Sequence, residues 1–181
     1  YFKYPNLVKE LVITYVNQLW VCDITYIYTI DDKFCYLHLV TDAFSRMIIG
    51  YVLAPTLEAK YTIEALQQAI SHAGSGNLCG TIHHSDRGVQ YCCDEYITLL
   101  KDHHIRISMT EDSNPTDNGM AERVNGIIKN EFLEPLQTPK NLLEALPLVD
   151  HAVRTYNTLR PHLNLNMRTP AQVYEGKQII L

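Results

Sequence analysis

The chain has 181 residues, 46% hydrophobic and 19% charged, with a formal net charge of −5. This composition excludes a disordered chain, and no apolar run approaches the roughly 18 residues of a membrane-spanning helix. Five cysteines, an odd number with no CxxC pair, exclude a disulfide scaffold and point to a reducing, cytoplasmic setting.

The length suits one domain with a sizeable core. The first residue is Tyr1, which reads as the start of a fragment, and no signal-peptide pattern opens it. Residues 1–19 form a mixed lead-in to a core over 20–181. WVCDITYIYTI (20–30), FCYLHLVT (34–41) and RMIIGYVL (46–53) are rich in β-branched and aromatic residues. Short polar breaks separate them, which predicts a three-stranded antiparallel meander. TLEAKYTIEALQQAISHAG (56–74) changes to helical period, with Thr56 as the N-cap and Gly74 as the stop. CGTIHHSD (79–86) is a short strand, 88–104 a helix and IRISM (105–109) a strand.

Residues 110–117 are full of turn formers and read as a flexible loop. The helix that follows carries Asn118, Glu122, Asn125 and Lys129 on one face, with Val124, Ile127, Ile128 and Phe132 behind. Taken alone, this stretch fits an ordinary amphipathic surface helix as well as a functional site. Thr138-Pro139 opens a last long helix, which Pro147 should kink or break. The order βββαβαβα predicts an α/β domain, a mixed five-stranded sheet flanked by helices. Functional residues of such sheets gather at strand carboxyl ends near the topological switch.

Asp23 is the most informative residue. An ionised carboxylate inside an apolar strand is costly unless backbone donors, a lysine or a metal ion meets it. Asp86 closes the fourth strand, and Glu122 arrives on a helix. Three carboxylates from distant parts of the chain fit Mg²⁺ or Mn²⁺. Two such ions can clamp the attacking and leaving oxygens of a phosphodiester displacement. His83, His84, Cys92 and Cys93 lack the spacing of a zinc finger, and the two cysteines read as core positions of a helix.

The blocks WVCDITYI, HHSDRGVQY and NPTDNGMAERVNGIIKNEF resemble the three signatures of the DDE transposase and retroviral-integrase catalytic core, with 35 residues between Asp86 and Glu122. YNTLRPHLNL (156–165) and TPAQVYEG (169–176) resemble the ends of bacterial insertion-sequence transposases of the integrase-like, two-reading-frame type. The resemblance implies a ribonuclease H-like fold. It also implies Asp23, Asp86 and Glu122 as catalytic metal ligands, with two ions in the active complex. Asn118, Asn125 and Lys129 match positions that contact DNA, and Arg160 and His162 match the RPH element. His84, Arg87 and Gln90 match the polar block around the second acid. Arg123 faces elsewhere on the helix and reads equally as a surface or phosphate contact or as a catalytic residue.

The implied partners are double-stranded DNA at element ends and target, and further copies of the chain. The implied place is the bacterial cytoplasm, at the nucleoid, with no membrane contact. The DNA-end-binding region of such transposases is expected upstream, outside this chain. A cutting-only ribonuclease H-like nuclease and a non-catalytic DNA-binding or assembly module are the rival readings. The net charge of −5 opposes a nucleic-acid partner for the chain as a whole. Divalent cations at an acidic site reverse that sign locally, and the segment from Asp150 onward is mildly basic through Arg154, Arg160, Arg168 and Lys177.

Overall fold

The computed structural model describes residues 4–74, 78–111 and 118–176. An antiparallel meander opens it: β1 (Leu19–Thr29), β2 (Lys33–Asp42) and β3 (Ile48–Ala54). Helix α1 (Ala59–Ala73) leads to β4 (Ile82–Ser85), and α2 (Val89–Cys92) and α3 (Asp94–Asp102) lead to β5 (Arg106–Met109). Helix α4 (Gly119–Ile127) continues into a π-helical turn over Ile128–Leu133. Helices α5 (Leu142–Thr158) and α6 (Pro170–Tyr174) complete the described chain. The strands lie in the order β3-β2-β1-β4-β5, with β1, β4 and β5 mutually parallel. This is the mixed α/β sheet that the element order predicts, with β1 at its centre.

The alternation along β1 decides what each face covers. Trp20 and Cys22 point into a core shared with Ala65, Leu66 and Ala69 of α1 and Tyr96 and Leu100 of α3. Ile27 points the other way, into a core with Val124 of α4, Ile128, and Val149, Val153 and Tyr156 of α5. Helix α1 can approach β3 closely because residue 50 is glycine. A Cβ there would lie 2.1 Å from the Ala65 carbonyl oxygen. No helix among the described residues is long and apolar enough to cross a membrane.

Several element boundaries differ from the sequence reading. Glu58, not Thr56, caps α1; Thr56 instead donates to Glu58 Oε1 at 2.9 Å. The helix read over 88–104 is broken at Cys93, whose backbone is extended (φ −73°, ψ 150°). Tyr91 and Tyr96, five residues apart, would sit about 140° apart on one helix. The break brings both rings against His83, with Tyr96 Oη 2.7 Å from His83 Nε2 and the tyrosine centroids 5.6 Å apart. The last long helix starts at Leu142, where the Asn141 side chain accepts from the Glu144 N–H, and not at Pro139.

Pro147 does not break that helix. Its missing N–H deprives only the Leu143 carbonyl, and both residues are exposed, so water takes the bond. Ala145, Val149, Ala152, Val153 and Tyr156 hold the opposite side in the core. Of the loop read at 110–117, residues 112–117 lie outside the described residues.

Candidate active site

The register of the parallel pair β1–β4 brings the first two acids together. Val21 pairs with His84. Two residues further along the same direction stand Asp23 and Asp86, on chains that run about 4.8 Å apart while paired. Asp23 is half-buried, and Asp86, just past the end of β4, is exposed. The Asp86 carboxylate is oriented by its own loop, because Oδ1 accepts the Gly88 N–H at 2.9 Å. Residue 88 has to be bare for this. A Cβ there would lie 2.9 Å from Asp86 Oδ1 and 3.0 Å from Gln90 Oε1. Sequence reasoning passed over Gly88, although its position two residues after the acid was the signal.

Glu122 lies in the first turn of α4 and is exposed. The asparagines flanking it are placed differently from the DNA-facing positions expected of them. Both are buried, with Asn118 at 7% and Asn125 at 5% exposure. Asn118 Nδ2 donates to the Cys22 carbonyl at 3.0 Å, and Asn125 Nδ2 donates to Asp23 Oδ2 at 2.7 Å. They staple α4 to β1 at Cys22 and at Asp23 itself, and so set where the helix that carries Glu122 lies. The physical reason is the helical phase: Ala121, Val124, Asn125 and Ile128 make the buried stripe, and the amides share its edge.

Burial pushes the Asp23 carboxyl up to about 6. The Asp86 and Glu122 carboxylates act in the same direction, against the hydrogen bonds from the Ile24 N–H and Asn125. Both other acids are thus within electrostatic reach of Asp23. Among the described residues, no three His, Cys, Asp or Glu side chains are close enough to grip one ion together. The donor chemistry fits a hard divalent cation: all-oxygen, acidic and partly desolvated, with Asn125 Oδ1 buried and unpaired beside it.

The other expected residues spread around this centre. His84 is fully buried, with Nδ1 2.8 Å from Ser108 Oγ. Arg87 follows Asp86 and is half-buried, and Gln90 donates to the Leu57 carbonyl at 3.1 Å, tying α2 to the start of α1. Lys129 lies at a separate cavity of about 390 Å³ that Tyr26, Tyr28 and Phe34 also line. Arg123 is exposed on α4. Arg160 forms a two-pronged pair with Glu131, at 2.7 Å from Nε and 2.7 Å from Nη2, and its Nη1 is 3.3 Å from His162 Nε2. His162 also packs edge-on against Tyr156, with centroids 5.0 Å apart.

A family model described as Integrase core domain matches residues 14–115, more than half of the chain, and a second of the same description matches 103–170. The chain belongs to the integrase core domain family.

Among relatives of this core are a protein of insertion sequence element IS986/IS6110 from Mycobacterium tuberculosis and transposase InsF of insertion sequence IS3A from Escherichia coli. The first is 37% identical over 122 residues, covering 66% of this chain and 44% of the relative. InsF is 31% identical over 163 residues, covering 90% and 55%. An IS600 protein of Shigella sonnei is 32% identical over 173 residues, covering 94% and 62%. The core therefore spans about half the length of these relatives. Among solved structures, the HTLV-2 integrase catalytic core domain in complex with magnesium superposes with a TM-score of 0.68 and 26% identity, over 88% of this chain and 97% of that one. A simian T-cell lymphotropic virus intasome chain superposes with a TM-score of 0.73 and 22% identity, over 99% and 59%. The fold of the integrase core described here is ribonuclease H-like, as the sequence resemblance implied.

Proposed function

We propose that this core catalyses metal-dependent nicking and 3′-hydroxyl strand transfer at the ends of a bacterial insertion element. The observation that carries the reading is the parallel register of β1 and β4, whose last pair, Val21 with His84, stands two residues before Asp23 and Asp86, together with the electrostatic effect of Asp86 and Glu122 on the Asp23 carboxyl. Asp23, Asp86 and Glu122 are the residues that would hold Mg²⁺ or Mn²⁺, as two ions in the active complex. When bound, the metal supplies Lewis-acid stabilisation of the attacking and leaving oxygens in an in-line displacement.

The protein's own contribution is positioning. Asn125 fixes the Asp23 carboxylate and favours its ionised form, and Gly88 does the orienting for Asp86. Asn118 seats the first turn of α4, so any swing of Glu122 is a side-chain motion on a fixed helix. Lys129, Arg123, Arg160 and His162 meet DNA phosphates around that centre. The active form is a homo-oligomer that brings element ends and target DNA together, in the cytoplasm and at the nucleoid; transposase InsF among the relatives supports the element-end substrate, and the dimeric form of the HTLV-2 integrase core supports the oligomer.

The test is a gel assay with labelled element-end DNA and the full-length protein. The reading predicts cleaved ends and joined products, both abolished by Glu122→Gln with the fold intact. Cleavage with no joined product would assign a cutting-only nuclease. A Glu122→Gln variant that still transposes would assign a non-catalytic DNA-binding or assembly module.

A further inference from the structure

In a chain with 20 acidic and 15 basic residues, a groove of about 920 Å³ is lined by Arg46, Arg123, Arg160, His84 and His162 and by no carboxylate among the described residues. It runs along the flank of α4 away from the acids. Arg123 is about 100° around the helix from Glu122, and Asn118 and His84 border the groove where it meets the active site. A strand whose reacting phosphate lay at the acids could continue directly into it.

Arg46 is the residue here that the expected site leaves out. It sits in the β2–β3 turn with φ +67°, a left-handed conformation that costs a non-glycine residue about 1 kcal/mol or more. The turn enforces it: the Arg46 N–H donates to the Asp42 carbonyl at 2.8 Å, and Tyr156 Oη donates to the Arg46 carbonyl at 3.0 Å. The guanidinium is half-buried, and its only hydrogen-bond contact among the described residues is the Met120 sulfur. Asp42 helps it electrostatically, but that carboxylate is already engaged by Asn17 and Ser45. Burial draws the Arg46 pKa down, and the charge of Arg123 acts the same way. A desolvated guanidinium beside a second one, without a carboxylate partner, is an arrangement that an anion stabilises. Arg160 is different, because Glu131 already holds it.

We propose that Arg46, together with Arg123, grips a backbone phosphate of the DNA strand that runs along this groove. The proposal rests on the DNA-joining function above and adds the strand's path. Two guanidinium forks converging on one phosphate give the bidentate geometry that arginine provides and lysine does not.

The test is fluorescence anisotropy with the full-length protein and a short labelled element-end duplex, between about 50 and about 200 mM salt. Arg46→Gln is expected to weaken binding roughly tenfold at the low-salt end and to reduce the slope of log affinity against log salt by about 0.9. Arg123→Gln, on the exposed face of α4 and so no threat to folding, is expected to give the same slope loss. Lys60→Gln, at an exposed position of α1, is expected to leave the slope unchanged.

Unchanged slopes in both arginine variants, while the wild type still binds and joins DNA, would overturn the groove and leave the function standing. An equal loss from Lys60→Gln would overturn it too, by showing diffuse binding. A poly-glutamate peptide whose binding needs Arg46, with DNA binding indifferent to it, would assign the groove to an acidic protein segment instead. A wild type that binds no DNA at low salt would overturn both proposals.

Discussion

At the scale of single residues, Asp23 is where structure and chemistry pull against each other. Its carboxyl titrates near 6 in the folded chain against about 3.9 unfolded. Between those values the folded chain holds a proton that the unfolded chain has released. Metal-free stability on this group's account is therefore highest at low pH and falls as pH rises through about 6. Asp23→Asn removes the penalty, so at pH 7.5 and without divalent metal the variant should be the more stable by about 2 kcal/mol. Urea unfolding at several pH values should show that difference vanishing near pH 4. A wild type as stable as the variant at pH 7.5 would contradict the assignment. Gly88 makes a second prediction. Gly88→Ala pushes a methyl group against Asp86 Oδ1, so strand transfer and Mn²⁺ affinity should both fall at least about tenfold. Stability should change by less than about 1 kcal/mol. Normal Mn²⁺ affinity by calorimetry would show that Asp86 does not need that cap.

At the scale of elements, the strands were readable and the helix ends were not. The meander and the central place of β1 follow from runs of β-branched and aromatic residues, whose pattern tertiary contacts reinforce. Cys93 shows why helix 88–104 misled: local periodicity favours continuity, but His83, distant in sequence, needs both Tyr91 and Tyr96. Asn118 and Asn125 show the same limit in the site. Their shared face with Glu122 was visible in the helical phase, yet whether that face met DNA or β1 depended on Cys22 and Asp23 across the fold. Pro147 survives in α5 because the carbonyl that it deprives is at the surface. Pro147→Ala should restore that bond and raise stability by about 1–3 kcal/mol, seen as a higher Tm. A lowered Tm would mean that the proline's stiffening of the unfolded chain outweighs the lost bond.

At the scale of the whole molecule, the net charge of −5 misdirects because the charge is sorted by place. Asp86 and Glu122 stand within electrostatic reach of Asp23 on the central strand, and arginines and histidines line the groove beyond α4. Asp23 drew notice from sequence alone because a carboxylate in an apolar strand demands a reason, and the structure does place it half-buried in the central strand. Arg46 did not draw notice, since nothing in its neighbours' identities reveals a guanidinium that the fold half-buries with no hydrogen-bonded carboxylate among the described residues. The proposed function stands or falls on whether Asp23, Asp86 and Glu122 close on one divalent-metal site. A crystal structure of the core soaked in Mn²⁺, phased to show the metal's anomalous signal, tests it most directly. The expected result is a peak between Asp23 and Asp86, with the Glu122 carboxylate turned inward onto it. A peak elsewhere, or one that Glu122 does not reach even with element-end DNA bound, would contradict it.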